Sequence, residues 1–221
     1  MNDRKSREFK RREREILDCT LALLSGEQWE ALSVDKIAQH TGIGKGTVYK
    51  HFACKDDIYA HLLLDNYQQI LAEFKRIAAD DHLTGVQQMR GMLIYAFEYH
   101  RDNLAHQHMH VHFIQSASRK RISSDYLQQL NNAEEQFAGA FGKAVYKGIT
   151  EGDINPEMPR EAMMAGMSAT FEGAIVTLQE GGSCKQQMLE TAEQKSRYIN
   201  LVVDYMIAAL IRQPADRQEK R

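Results

Sequence analysis

The chain has 221 residues, 43% of them hydrophobic, only 3 prolines and a formal charge of −2 at pH 7. That is enough chain for a small domain plus a larger one, or for one mid-sized domain, and the scarcity of proline lets helices run uninterrupted. No apolar run reaches membrane-spanning length, the charged N-terminus lacks the apolar stretch of a signal peptide, and the three scattered cysteines, Cys19, Cys54 and Cys184, argue for a reducing cytoplasm rather than a disulfide framework.

The charge is unevenly spread. Residues 1–55 hold 11 Lys and Arg against 8 Asp and Glu, while residues 56–221 hold 17 against 22. A basic front on an acidic body orients a molecule on nucleic acid and limits binding elsewhere. The most basic stretch comes first, with Arg4, Lys5, Arg7, Lys10, Arg11, Arg12 and Arg14. It reads either as a solubilising frayed terminus or as an arm on phosphates or the minor groove.

A first helix is expected from near Arg7 to Ser25, with Ile16, Cys19, Thr20 and Leu23 as its apolar stripe, broadened by Leu17 and Leu24. Trp29 follows and is expected to plug a small core. Next comes the run from Leu32 to Lys55, LSVDKIAQHTGIGKGTVYKHFACK. Ser33 precedes Val34, Ile37 and Ala38 and is placed to cap a helix ending at Gly42, which can take the left-handed stop. Gly44 opens a second short helix through Phe52, with Val48 and Phe52 on one face. Lys45, Thr47, Tyr49, Lys50 and His51 are left to point elsewhere, and all five can donate a hydrogen bond or meet a phosphate. A buried back and a donor-rich front are what major-groove reading requires.

A long helix is expected from Lys55 to Ala79, with Ile58, Leu62, Leu71 and Phe74 as its apolar side. Further helices are expected near 83–101, 103–115, 122–150, 159–180 and 185–212, followed by a disordered tail at 213–221. In 159–180, Ala162, Gly166, Ala169 and Gly173 form a small-residue stripe, and Met164, Met167, Phe171, Ile175 and Leu178 fill much of the rest. Such a helix must be covered on more than one side. Helix 185–212, with Ile199, Val202, Val203, Met206 and Leu210 opposed by Leu201 and Tyr205, is similarly broad.

Ile37-Ala38, Thr41-Gly42, the run Gly46-Thr47-Val48-Tyr49, then His51-Phe52 and Lys55 closely resemble the DNA-binding domain of the tetracycline-repressor (TetR) family of bacterial transcription regulators. The match covers about the first quarter of the chain; beyond Tyr67 the likeness is architectural. The resemblance implies an all-α fold of about nine helices. A helix-turn-helix DNA-binding domain at 1–55 with its basic arm would precede an effector-binding and dimerisation domain at 56–212. It implies a homodimeric one-component repressor on a near-palindromic operator. Ser33, Lys45, Gly46, Thr47, Tyr49, Lys50, His51 and Lys55 are its implied DNA-binding set. Tyr49, His51 and Lys55 would meet phosphates, and Lys45, with Thr47 and Lys50, would lie nearest base edges. The family's last two helices pack into a four-helix bundle between subunits and border a ligand pocket. A small apolar or amphipathic effector is therefore expected against Met92, Tyr95, Tyr99, His108, Phe137, Phe141, Met163, Met167 and Phe171. The alternative is a DNA-binding structural or division-control protein of the same fold with no effector.

Two features stand apart. His106, His108, His110 and His112 make two i,i+4 pairs, a metal-sharing spacing, yet they divide between two helix faces and lack a companion cysteine or carboxylate cluster. Effector hydrogen bonding and partly exposed positions without a role are the other readings, and no metal or cofactor is expected. Cys54 is a poor cap at a helix start, where Lys55 would favour a redox-responsive thiolate; a small residue that simply fits is the plainer reading. No glycine-rich phosphate loop, G-x-S-x-G, H-E-x-x-H or paired-cysteine motif occurs, so an enzyme is not expected.

Overall fold

A computed structural model describes residues 3–24, 32–103, 105–107, 109–110, 119–180 and 189–211. Eight helices are bounded there: α1 (Asp3–Leu24), α2 (Val34–Thr41), α3 (Lys45–His51), α4 (Lys55–Ala78), α5 (Gly85–Asp102), α6 (Ser124–Glu151), α7 (Arg160–Glu180) and α8 (Ala192–Ala208). Residues 105–107 and 109–110 are helical as well. The architecture is all-α with an N-terminal helix-turn-helix. Among the described residues, the only strand-like pairing is an isolated antiparallel bridge between Ile154 and Ile211. Trp29, His108, His112, Cys184, the Gly181–Ser183 break and the 213–221 tail lie outside the described residues.

Two helix starts differ from the sequence expectation. α1 begins at Asp3, so the basic stretch is the first three turns of a helix and not a frayed arm. α8 begins only at Ala192, because Thr191 and Gln194 form a reciprocal capping box there, with Gln194 N–H donating to Thr191 Oγ1 at 3.1 Å and Thr191 N–H to Gln194 Oε1 at 3.0 Å. Thr84 and Gln87 start α5 in the same way.

The chain divides into two compact units. The first comprises Met1–Asn66 with Leu104–Asn131, the second Tyr67–Asn103 with Asn132–Arg221. In the first, the start of α4 is tied to the residues that lead into α6. Arg121 donates to Asp56 at 2.8 Å, Ser123 N–H to Asp57 at 2.8 Å, and the His61 ring lies 3.0 Å from the Tyr126 hydroxyl.

In the second unit α5 is central. Phe97 is fully buried, and its ring centroid lies 4.5 Å from that of Phe171 on α7. Arg90 donates to Asp204 at 2.6 Å and to Asn200 at 3.0 Å, both on α8. The start of α5 presses on the end of α6, where Gly85 N–H donates to Glu151 at 2.7 Å. A Cβ at Gly85 would strike the backbone of Ala144 and Gly148. At Gly91, in contrast, a Cβ would meet only Ile77 methyls at 3.6 Å, an ordinary contact.

Gly85→Ala is expected to lose about 1–3 kcal/mol from overpacking against backbone, and Gly91→Ala to gain up to about 1 kcal/mol from helix propensity. Urea unfolding of the two variants measures both, and equal stabilities would contradict the close approach of α5 to α6.

Candidate nucleic-acid interface

The turn between α2 and α3 is set by three local devices. Ser33 is extended, and its Oγ accepts from Lys36 N–H at 3.2 Å, capping α2. Gly42 has φ 68°, the left-handed value that spares glycine a Cβ clash. Around it Ile43 N–H reaches Ala38 O at 3.0 Å and Gly42 N–H reaches Gln39 O at 3.2 Å, the paired bonds of a Schellman stop. α3 then opens at Gly44, which offers no side-chain cap.

The back of the pair is dry. Ile37, Val48 and Ile16 are wholly buried, and Leu17, Leu24, Leu32 and Phe52 nearly so. The front carries Lys45, Gly46, Tyr49 and Lys50 exposed, with Thr47 half-buried. Tyr49 is 47% exposed, too much for a core aromatic on so small a helix. A Cβ at Gly46 would meet nothing within 4 Å, so the front stays open there. Gln39 and His40 of α2 are exposed as well, and neither is singled out by sequence.

Two predicted DNA contacts, His51 and Lys55, are placed differently. His51 was expected to face outward, but its side chain is only 5% exposed. Its ring stacks on Phe9 with centroids 4.0 Å apart, and its Nδ1 lies 3.9 Å from Glu13, both on α1. Lys55 donates to Leu32 O at 2.9 Å, and its ammonium stands 5.6 Å from the Tyr59 ring centre. It therefore braces the entry to α2 and does not extend a free ammonium outward. Lys45 remains exposed but is bonded to Asp35 at 2.7 Å, which raises its pKa and supplies a competitor that a phosphate or base must displace. Ser33 is occupied as the cap.

The thiolate reading of Cys54 is corrected. Burial raises the thiol pKa above its ordinary value, and its Sγ donates to Arg121 O at 3.3 Å.

The expected effector residues, His108 excepted, belong to the second unit. Met92, Phe141 and Met167 are buried; Tyr95, Tyr99, Phe137, Met163 and Phe171 are half-buried; His108 lies outside the described residues. Phe137 lies edge-on to Tyr67 and Phe74, each at 5.3 Å, and Tyr99 donates to Gln69 at 3.0 Å. A pocket of about 150 Å³ is lined by Ala138, Gly142, Val145, Tyr146, Arg160, Met163 and Met164, so of the nine expected residues only Met163 borders it. Among the described residues no group of three or more His, Cys, Asp or Glu could hold a metal. None of the described helices is long and apolar enough to cross a membrane.

Burial lowers the His51 pKa below its ordinary 6.5, against the pull of Glu13. The unfolded chain therefore binds this proton more readily. Its contribution to stability is complete above that value and is lost as pH falls through the lowered one. Denaturant midpoints between pH 7 and pH 5 are expected to fall less in His51→Gln than in the parent; parallel profiles would contradict the buried placement.

Residues 16–62 match the family model for bacterial regulatory proteins of the tetR family. The transcriptional repressor KstR2 of Mycobacterium tuberculosis is 24% identical over 156 residues, 71% of this chain and 76% of its own. An HTH-type transcriptional regulator of Staphylococcus aureus is 32% identical over 81 residues, 37% of this chain and 43% of its own. Among solved structures, the ketosteroid regulator KstR2 superposes with a TM-score of 0.65 at 18% identity, covering 91% of this chain and 96% of that one. FadR from Bacillus subtilis in complex with stearoyl-CoA gives 0.67 at 14%, covering 89% and 98%. Residues 16–62 thus belong by sequence to the tetR family of bacterial regulatory proteins, and the chain shares the fold of these regulators over nearly its whole length.

Proposed function

We propose that the protein is a one-component repressor that binds a near-palindromic operator as a homodimer and leaves it when a small apolar or amphipathic effector binds. The observation that carries the DNA half is the outward front of α3, with Tyr49 and Lys50 exposed on a helix whose opposite side is sealed by Val48. Arg4, Lys5, Arg7, Lys10 and Arg11, exposed along α1, extend the positive surface. Tyr49 and Lys50 take the phosphate and base-edge contacts, with Thr47 beside them and Lys45 joining once Asp35 lets go.

The dimer half rests on what α7 and α8 leave uncovered. Ala162, Gly166, Ala169 and Gly173 are all exposed, and a Cβ at Gly166 or Gly173 would meet nothing within 4 Å. Glycine weakens a helix interior, so two of them on an open face make sense if another helix comes close. On α8, Leu201 is 61% and Tyr205 70% exposed. Apolar groups of that size on an otherwise charged chain suit a subunit interface.

The effector half rests on the relatives. One structural neighbour is named a ketosteroid regulator and another was solved with stearoyl-CoA. Effector binding favours the state that no longer fits the operator, and operator must then weaken effector affinity by the same factor.

Tyr49→Ala is expected to weaken operator binding without lowering the melting temperature, and Lys50→Ala to reduce the salt slope of binding by about one unit. Unchanged affinity and slope in fluorescence anisotropy would remove α3 as the reading helix. Gly173→Leu is expected to wedge the seam at a cost of about 1–3 kcal/mol and yield monomer in sedimentation at low concentration; an intact dimer would place the interface elsewhere.

A further inference from the structure

Asn66 lies wholly buried in the middle of α4, within the first compact unit. Leu62, Leu63 and Ile70, its neighbours one turn away on the helix, are buried and apolar. Both atoms of its amide, Nδ2 and Oδ1, are sealed from solvent, and neither has a hydrogen-bond partner among the described residues. An amide withdrawn from water without partners is costly, and a leucine of similar size would serve this stripe better. The amide is therefore placed to serve a group that the described residues do not supply. That group must accept from Nδ2, donate to Oδ1, or do both.

His106 lies within electrostatic range of Asp65, the residue before Asn66, and burial disfavours the charged form of its ring. Arg14, a cation of the same unit, is exposed and already bonded to Asp65 at 2.8 Å. An ionised group buried against the Asn66 amide and the apolar Leu62, Leu63 and Ile70 would have no counter-charge.

We propose that Asn66 is the polar anchor of a small-molecule site in the first unit, one that takes an uncharged hydrogen-bonding group, such as a hydroxyl, keto or carboxamide, on an apolar frame. The inference rests on the reading that a small amphipathic effector is bound, and it names the chemistry of the end that enters. Ionised carboxylates and ammonium groups are excluded from that end.

The test uses the full chain in thermal-shift titrations with decanamide and decanol as neutral probes and decanoate and decylammonium as charged ones. The neutral probes are expected to raise the melting temperature of the parent and the charged ones not. Asn66→Leu is expected to weaken the neutral probes about tenfold, the loss of roughly one buried hydrogen bond. Should Asn66→Leu not fold, Asn66→Ala carries the same comparison. Failure of every probe to bind the parent, decanoate binding as well as decanamide, or full affinity in the variant each overturns the proposal. Operator affinity measured with saturating decanamide separates the two readings. Binding that depends on Asn66 but leaves operator affinity unchanged keeps the site and removes the effector role.

Discussion

The candidate interface depends on one burial event, the withdrawal from water of Val48 of α3 and the adjoining Phe52 together with Ile16, Leu17 and Ile37. α3 has seven residues, far too few to be helical alone in water. It opens on Gly44 without a side-chain cap and has no acidic residue in its first turn to favour the dipole. What holds it is tertiary packing on one side, together with the stop at Gly42 that fixes its direction. With that side committed, Tyr49 and Lys50 have nowhere to go but outward. Removing the apolar anchors would therefore abolish recognition before any contact residue was touched.

Around this core several charged groups act as braces. Lys55 holds the carbonyl of Leu32, Arg121 holds Asp56, and Arg14 holds Asp65. His51 fills a slot beside Phe9 and Glu13. These groups tie α1, α3, α4 and the residues leading into α6 into one unit. Lys50 and Tyr49 stand exposed on the other side of α3. The Lys45–Asp35 pair is exposed, and exposed ion pairs contribute little stability in water, so a phosphate can compete for Lys45.

Much of this was legible in the sequence because its causes are local. Ser33 before an apolar turn, Gly42 after one, and the one-turn spacing of Val48 and Phe52 each specify their own geometry, and the structure reproduces them. The misplacements share a different cause. The face left by Val48 and Phe52 points His51 outward and the resemblance puts Lys55 on a phosphate, yet the direction of each is decided by partners elsewhere in the chain: Phe9 and Glu13 for one, Leu32 O for the other. α1 was started four residues late because a run of basic residues reads as solvated terminus, whereas arginine and lysine are good helix formers and Arg11 and Arg12 each pair with Glu15 at 2.9 Å. The grouping of Leu104–Asn131 with the DNA-binding helices had no local signal at all, since it arises from contacts between residues more than 60 positions apart. The effector set takes large apolar and half-polar groups on the helices that the resemblance puts around a pocket, and size and apolarity do not separate a lining residue from a core one. Met92 and Phe141 are buried in either case.

The central claim is that two copies of the α2–α3 face read one duplex together. Selection of bound duplexes from a random pool by the purified protein tests it most directly. The account predicts recovery of two inverted half-sites whose centres lie about one helical turn, roughly 34–36 Å, or a whole multiple of it apart. Recovery of a single half-site, or of duplexes no more alike than the starting pool, would contradict it.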